Sequence, residues 1–368
     1  MTDGQNLDSL LAAAMDQYRE DRYEAAAKLY DSVLAQDPDN LEALGWRGEI
    51  AIQLDEYEVA AACLQKNLDL DPDGFEEYGK LGLAYYELEE SEKSVRALLT
   101  AIERDDEDLV AHSNLGRALY DYFHSGAEQE AARIARDWVK RFPDNPDAAH
   151  MGAAVGGLTP PEKAVEAYVA DVFDVFAQDF DQKLEELGYC APQLLETLVK
   201  QHLPEGITGL DILDAGCGTG LCGPLLKPLA NRMDGVDLSS GMLEKAADRG
   251  LYDDLAEEEL VAFLKSRRGQ YDLVVAADVL CYFGALEEAF AATHDSLRSG
   301  GTFAFSLETR PDTARYHLHP SGRYSHEQDY VLSAIRAVGF VIENYDRAVL
   351  RSEYGEDVKG LILLARRP

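Results

Sequence analysis

Three glycines alternate in the segment Gly216-Cys217-Gly218-Thr219-Gly220, which begins two residues after Asp214. Glycine lacks a Cβ, so its backbone can turn sharply and come close to a ligand. The spacing is G-x-G-x-G. A dinucleotide fingerprint needs its third glycine one position later, where Leu221 stands, and no Lys-Ser/Thr pair follows to form a phosphate loop. The ligand expected is therefore one without a phosphate chain. Asp237 follows Gly216 by 21 residues, the separation at which an acidic side chain accepts both hydroxyls of a ribose.

A second group of reactive side chains lies further on. Arg310, Tyr316, His317, His319, Arg323, Tyr324 and His326 fall within 17 residues. Arg323 carries a fork that grips an anion bidentately, and His326 is a base for neutral pH. The competing reading makes His326 the start of the next helix and Arg323 the partner of a surface carboxylate. His317-x-His319 lacks a third ligand, so no metal is expected. Cys217 and Cys222 read as small buried residues rather than nucleophiles.

These groups need a scaffold. Residues 209–215 read "GLDILDA", a buried strand running straight into the glycine loop. A helix is expected over 221–229, short or kinked because Pro228 interrupts it. Strand, glycine loop and helix form the nucleotide-binding crossover of a doubly wound sheet. Asp237 then ends the second strand, Glu257 to Glu259 the third, and Asp278 follows a fourth over 271–277. The "DVLCY" segment of Asp278 to Tyr282 falls at the carboxyl edge of the sheet, where ligands bind in such folds. A fifth strand is expected within 297–307, a helix over 325–338, and two last strands over 341–350 and 360–364. Upstream, a Gly/Pro-rich stretch at 155–161 cannot continue a helix and marks a boundary. Beyond it, 164–187 places Tyr168, Phe173, Phe176, Phe180 and Leu184 along one helical stripe, either a packing face or a lid. A further helix follows over 194–202.

The first half repeats itself. Pro38 and Pro72 stand 34 residues apart. In that frame Ala14, Gly48, Gly82 and Gly116 share one position. Ala26, Ala60 and Ser94 share another, and Tyr30, Leu64 and Leu98 a third. Small residues allow two helices to cross closely while large ones fill the space between pairs. A fourth unit fits with an insertion near His124-Ser125-Gly126, and a capping helix is expected over 147–154. The pattern resembles the tetratricopeptide family over 7–143. That resemblance implies an all-α solenoid that binds partners or self-associates.

The second half resembles the class I S-adenosylmethionine-dependent methyltransferases, through Asp214, the three glycines and Asp237. The resemblance implies an α/β Rossmann-like domain with a seven-stranded sheet and S-adenosylmethionine as cofactor. It places Asp214, Gly216, Cys217, Gly218, Gly220, Asp237, Leu238, Met242, Glu259 and Asp278 around that cofactor, with Glu259 on the adenine amino group. Tyr282, Arg323 and His326 then fall on the acceptor side, Tyr282 flanking the transferring methyl. Repeats followed by this domain resemble a bacterial group of methyltransferases that carry tetratricopeptide repeats. The "FDVFAQDFDQKLEELGY" and "SGRYSH" segments fit that group. Three parts are expected: repeats over 1–157, a helical lead-in or lid over 158–205, and the methyltransferase domain over 206–368. The expected activity is methylation of a small-molecule or carrier-bound acceptor. The alternatives are a protein methyltransferase whose repeats capture the polypeptide, and a scaffold that only binds the cofactor.

Composition narrows the partners. The 368 residues include 34 basic and 69 acidic side chains, a formal charge of −35. Such a surface repels phosphate backbones and anionic lipid, so neither nucleic acid nor membrane is expected. Five scattered cysteines without a C-x-x-C pair indicate neither a disulfide framework nor zinc. A polar start and the lack of a long apolar run point to the cytoplasm.

Overall fold

The computed structural model describes residues 3–311 and 315–368. The chain divides into two compact units, Met1–Gly156 and Gly157–Pro368.

The first unit is helical throughout. Its helices are α1 (Asp3–Arg19), α2 (Tyr23–Gln36), α3 (Leu41–Gln53), α4 (Tyr57–Leu70), α5 (Phe75–Glu87), α6 (Ser91–Arg104), α7 (Leu109–Tyr122), α8 (Glu128–Arg141) and α9 (Pro146–Gly156). Odd and even helices pair as antiparallel hairpins. Side-chain caps start some of them: Asn40 Oδ1 accepts from Ala43 N at 3.0 Å and Asp108 Oδ1 from Ala111 N at 2.9 Å. The links inside the first three hairpins are equally tight. Asp21, Asp55 and Glu89 hold the same left-handed conformation there, with φ of 56°, 57° and 59°. The fourth hairpin departs from this. A wide helical turn, Phe123–Ala127, replaces the tight link, and Gly126 takes φ 95° within it.

The repeated small residue has a visible cause. A Cβ on Gly48 would stand 2.6 Å from Leu64 Cγ, and one on Gly82 would stand 2.5 Å from Leu98 Cγ. Gly82→Ala is therefore expected to destabilise the repeats by about 1–3 kcal/mol through overpacking. Both tryptophans of the chain, Trp46 and Trp138, lie in this unit. Urea unfolding followed by tryptophan fluorescence reads the effect directly, and an unchanged midpoint would refute it.

The second unit is a sheet covered on both faces. Its strands are β1 (Leu210–Ala215), β2 (Ala230–Asp237), β3 (Asp254–Glu257), β4 (Tyr271–Ala276), β5 (Leu297–Thr309), β6 (Tyr316–Leu318), β7 (Tyr324–His326), β8 (Val341–Glu353) and β9 (Glu356–Arg366). The order β3-β2-β1-β4-β5 is parallel, β9 lies antiparallel beside β5, and β8 pairs with β9. Those are the seven strands expected. The remaining two are a surprise. β6 and β7 form a small antiparallel hairpin, and β7 pairs with the end of β5 at Glu308 and Thr309.

The helices of this unit are α10 (Glu166–Phe176), α11 (Phe180–Glu186), α12 (Ala191–His202), α13 (Gly223–Leu226), α14 (Ser240–Asp248), α15 (Leu260–Ser266), α16 (Glu287–Ser296) and α17 (Gln328–Ala337). Successive strand residues alternate between the two cores. Leu213, Val274 and Phe303 face α15, α16 and α17, whereas Ile212, Leu273 and Ala304 face α12. Three local expectations are corrected. The helix after the glycine loop is a single turn, with Pro224 in its first turn and Pro228 ending it two residues past Leu226. The lead-in is two helices, broken at 177–179. The last helix starts at Gln328 rather than 325, because Ser325 and His326 belong to β7.

Candidate active site

A cleft opens over the carboxyl ends of β1, β2 and β4. Its floor is the glycine loop. Gly216 N and Cys217 N both donate to Val236 O, at 2.9 and 3.0 Å, which ties the loop to β2. Gly216 has φ 67°, and a Cβ there would fall 2.4 Å from Val279 Cγ2. Only glycine fits. Gly218 (φ 52°) lines the cleft. Gly220 does not. Its bare Cα packs under Tyr252 and Arg249, so it shapes the loop from behind.

Asp237 stands at the end of β2 and lines the cleft with Leu238 and Met242. Its Oδ2 accepts from Gly218 N at 2.8 Å and its Oδ1 from Ser239 N at 3.0 Å. One carboxylate thus holds the glycine loop and the start of α14 together. Burial pushes it up, against the pull of these N–H groups. Asp214 lies deeper, 1% exposed, with Tyr252 Oη donating to its Oδ2 at 2.7 Å. Burial raises this carboxyl to about 7.

That shift has a pH consequence. The unfolded carboxyl titrates near 3.8, so the folded state holds the extra proton from there up to about 7. The stability tied to that proton is complete below the lower value and is lost as pH rises through the higher one. Asp214→Asn removes the loss. Relative to the natural chain, the variant is expected to gain stability from pH 4 to about 7 and to level off above that. Urea midpoints across that range test it, and parallel curves would refute it.

Glu259 also borders the cleft, but as the N-cap of α15. Its Oε2 accepts from Ala262 N at 2.7 Å, and its Oε1 binds Lys163 Nζ at 2.8 Å. It lies two residues past the end of β3 with both oxygens engaged, which corrects its placement on that strand.

The lead-in helices close one side. Phe173 of α10 and Phe180 and Leu184 of α11 line the cleft, and Phe173 meets Phe180 and Tyr282 edge-on at 5.8 and 5.5 Å. The aromatic stripe is a cavity wall. Two aspartates pin it. Asp174 Oδ1 accepts from Gly241 N at 3.0 Å and from Ser239 Oγ. Asp181 accepts from Thr219 Oγ1 and from Arg249. Neither aspartate was singled out in the sequence, nor was Lys163. Ahead of α10 the backbone is clipped to the loop after β4. Gly284 N and Ala285 N donate to Glu162 O at 2.9 and 2.8 Å, and Ala164 N donates to Tyr282 O at 2.9 Å.

The far end of the cleft holds Asp278, Tyr282, Arg323 and Arg351. Arg351, 2% exposed as a side chain, places Nη1 on Asp278 (2.7 Å), Nε on Glu353 (2.7 Å) and Nη2 on Glu308. Arg323 binds Glu308 through Nε at 3.0 Å and Glu353 through Nη2. Its fork is occupied by this chain's own carboxylates, which corrects the expectation of a free anion grip. His326 is also corrected. It is fully buried in β7, and Nε2 donates to Phe283 O at 2.8 Å and Gly284 O at 3.1 Å. Burial drives its pKa to about 4. It buttresses the loop behind Tyr282 as a neutral imidazole and does not line the cleft. Among the described residues no cluster of three metal-ligating side chains occurs, and no helix is long and apolar enough to cross a membrane.

The donor set indicates what fits. The carboxylates of Asp214, Asp237, Glu258 and Glu259 surround the glycine-loop end, and Lys163, the lysine on this rim, is tied to Glu166 and Glu259. A pyrophosphate would meet uncompensated negative charge here. A ligand rich in hydroxyls and bearing positive charge suits the site.

Residues 213–303 match the methyltransferase domain family, and residues 11–75 and 80–146 match the tetratricopeptide repeat family. Methyltransferase-like protein 27 of Homo sapiens is 34% identical over 39% of this chain and 59% of its own length. Magnesium-protoporphyrin O-methyltransferase of Rhodobacter capsulatus is 30% identical over 33% of this chain and 54% of its own. The chain thus spans little more than half the length of these curated relatives. The crystal structure of magnesium protoporphyrin IX methyltransferase from Synechocystis PCC 6803 with bound SAH is 20% identical. It covers 55% of this chain and 99% of that chain, with a TM-score of 0.43.

Proposed function

We propose that this chain, a tetratricopeptide array joined to a class I S-adenosylmethionine-dependent methyltransferase domain, transfers methyl groups to a small or carrier-bound acceptor. One observation carries the reading. The glycine loop and the Asp237 carboxylate meet on one cleft, whose far end presents Asp278 and Tyr282. Gly218 and Asp237 would hold the nucleoside end of the cofactor, with Leu238 and Met242 against its base. When bound, S-adenosylmethionine supplies a sulfonium-borne methyl that an acceptor displaces in line.

The chain's own residues align and exclude water. Phe173, Phe180 and Leu184 wall the cleft, and Tyr282 stands with Asp278 at its far end. Alignment of this kind supplies roughly 7–11 kcal/mol of a bimolecular barrier. With His326 withdrawn from the cleft, proton removal falls to solvent or to Asp278, the acidic group at the acceptor end. The repeat array gives the enzyme a surface for a partner protein or a second copy.

Calorimetric titration of the full chain with S-adenosylmethionine, S-adenosylhomocysteine and NAD tests the reading. Micromolar binding of the first two and none of NAD is expected. Binding of NAD, or of none of the three, refutes it.

A further inference from the structure

We infer that the Asp278 end of the cleft recognises its acceptor through a protonated amine on an apolar or aromatic body, and rejects acceptors that present a carboxylate or phosphate there. This rests on the methyltransferase reading above.

The first support is the charge balance. Three carboxylates (Asp278, Glu308, Glu353) share two guanidiniums (Arg323, Arg351). One negative charge is left over in a site withdrawn from water, where an unpaired charge is costly. An incoming anion would double that excess, whereas an ammonium would cancel it. Each positive group of this wall is already paired with carboxylates of the chain. The three nitrogens of Arg351 lie on Asp278, Glu308 and Glu353, Arg323 shares Glu308 and Glu353 with it through Nε and Nη2, and Lys163 is held by Glu166 and Glu259. His319 stands beside Glu308 but is kept neutral, since burial drives it down to about 4.

The second support is where the excess resides. Burial opposes ionisation of all three acids. The arginines nevertheless hold Glu308 and Glu353 below the usual carboxylate range, while Asp278 stays above it. Asp278 is therefore the acid least served by its arginine. It is also the one of the three that lines the cleft.

The third support is backbone conformation. Five non-glycine residues take positive φ among those described. Asp21, Asp55, Glu89 and Tyr354 do so in tight links between consecutive elements. Asp278 (φ 56°) does so at the end of β4, on the cleft. Strain held at a cavity by surrounding structure marks a working position. Here it aims the carboxylate, which Ser306 Oγ and Arg351 Nη1 hold at 3.2 and 2.7 Å.

The fourth support is the neighbouring wall. Phe173, Tyr282 and Tyr189 line the cleft with aromatic surface, which suits an organic cation, while the ring of Phe283 already has Lys163 Nζ 5.5 Å from its centroid.

Three fragments of one shape and different charge test this: benzylamine, benzyl alcohol and benzoate. Each is titrated by ligand-observed NMR against the full chain saturated with S-adenosylhomocysteine. Benzylamine is expected to bind at least ten-fold more tightly than benzoate and more tightly than the alcohol, and Asp278→Asn is expected to erase that order. The comparison on the natural chain decides the matter even if that variant fails to fold. Benzoate or the alcohol binding as well as the amine, or no fragment binding, overturns the inference while leaving the cofactor reading intact. Failure of S-adenosylhomocysteine itself to bind overturns both.

Discussion

Arg351→Ala is expected to cost the second unit about 3–5 kcal/mol, the penalty for removing one partner from a buried ionic network. Three carboxylates lose a shared partner at once, and Arg323 cannot serve them all. Native stability of a domain is only about 5–15 kcal/mol, so the variant approaches the limit of folding at neutral pH. Its pH dependence carries the signature. Glu308 and Glu353 are held below their usual range in the natural chain. Their contribution is present above the unfolded value of 4.5 and is lost as pH falls. The deficit of the variant should therefore narrow as pH drops below about 4.5. Scanning calorimetry at pH 7 and at about pH 3 measures both quantities. A loss under 1 kcal/mol would show that the cluster contributes little.

Asp237→Ala is expected to weaken S-adenosylhomocysteine binding by at least ten-fold. Hydrogen bonds to a charged group are worth about 1.5–3 kcal/mol, and this carboxylate has two tasks. It faces the cleft, and it accepts from Gly218 N and Ser239 N. Its removal both deletes ligand contacts and frees the loop that the ligand must meet. Asp237→Asn separates the two effects. Its remaining oxygen can still accept from one of these groups, so the asparagine variant should bind more tightly than the alanine variant. Equal and undiminished affinity in a folded Asp237→Ala protein would remove this carboxylate from the site.

What the sequence shows and what it hides follow a physical division. Close packing that recurs every 34 residues is visible, because Gly48 faces Leu64 and Gly82 faces Leu98, each pair within its own hairpin. The glycine loop is visible because left-handed backbone near a ligand demands glycine in an unbroken local run. The β6/β7 hairpin was missed. Each of its strands spans three residues, too few to establish a period, although His319-Pro320-Ser321-Gly322 between Leu318 and Tyr324 is a turn signal. That omission misplaced His326, whose type suggested a base while its strand buried it. Arg351 was beyond reach. Glu353 is its neighbour two residues along the same strand, but nothing local signals that Asp278 and Glu308 converge on it from two other places in the chain. Asp174 and Asp181 were obscured in the same way, because an acidic residue on a helix normally faces water.

The clip between Glu162 and the loop after β4 bears on how this protein can be cut and recombined. The family match begins at residue 213, yet one wall of the cleft comes from α10 and α11, and the backbone ahead of them is fastened to Gly284 and Ala285. The smallest transplantable catalytic module therefore begins near Pro160. A gene fusion that starts near residue 190 would delete a wall of the cleft while sparing every residue of the glycine-loop motif.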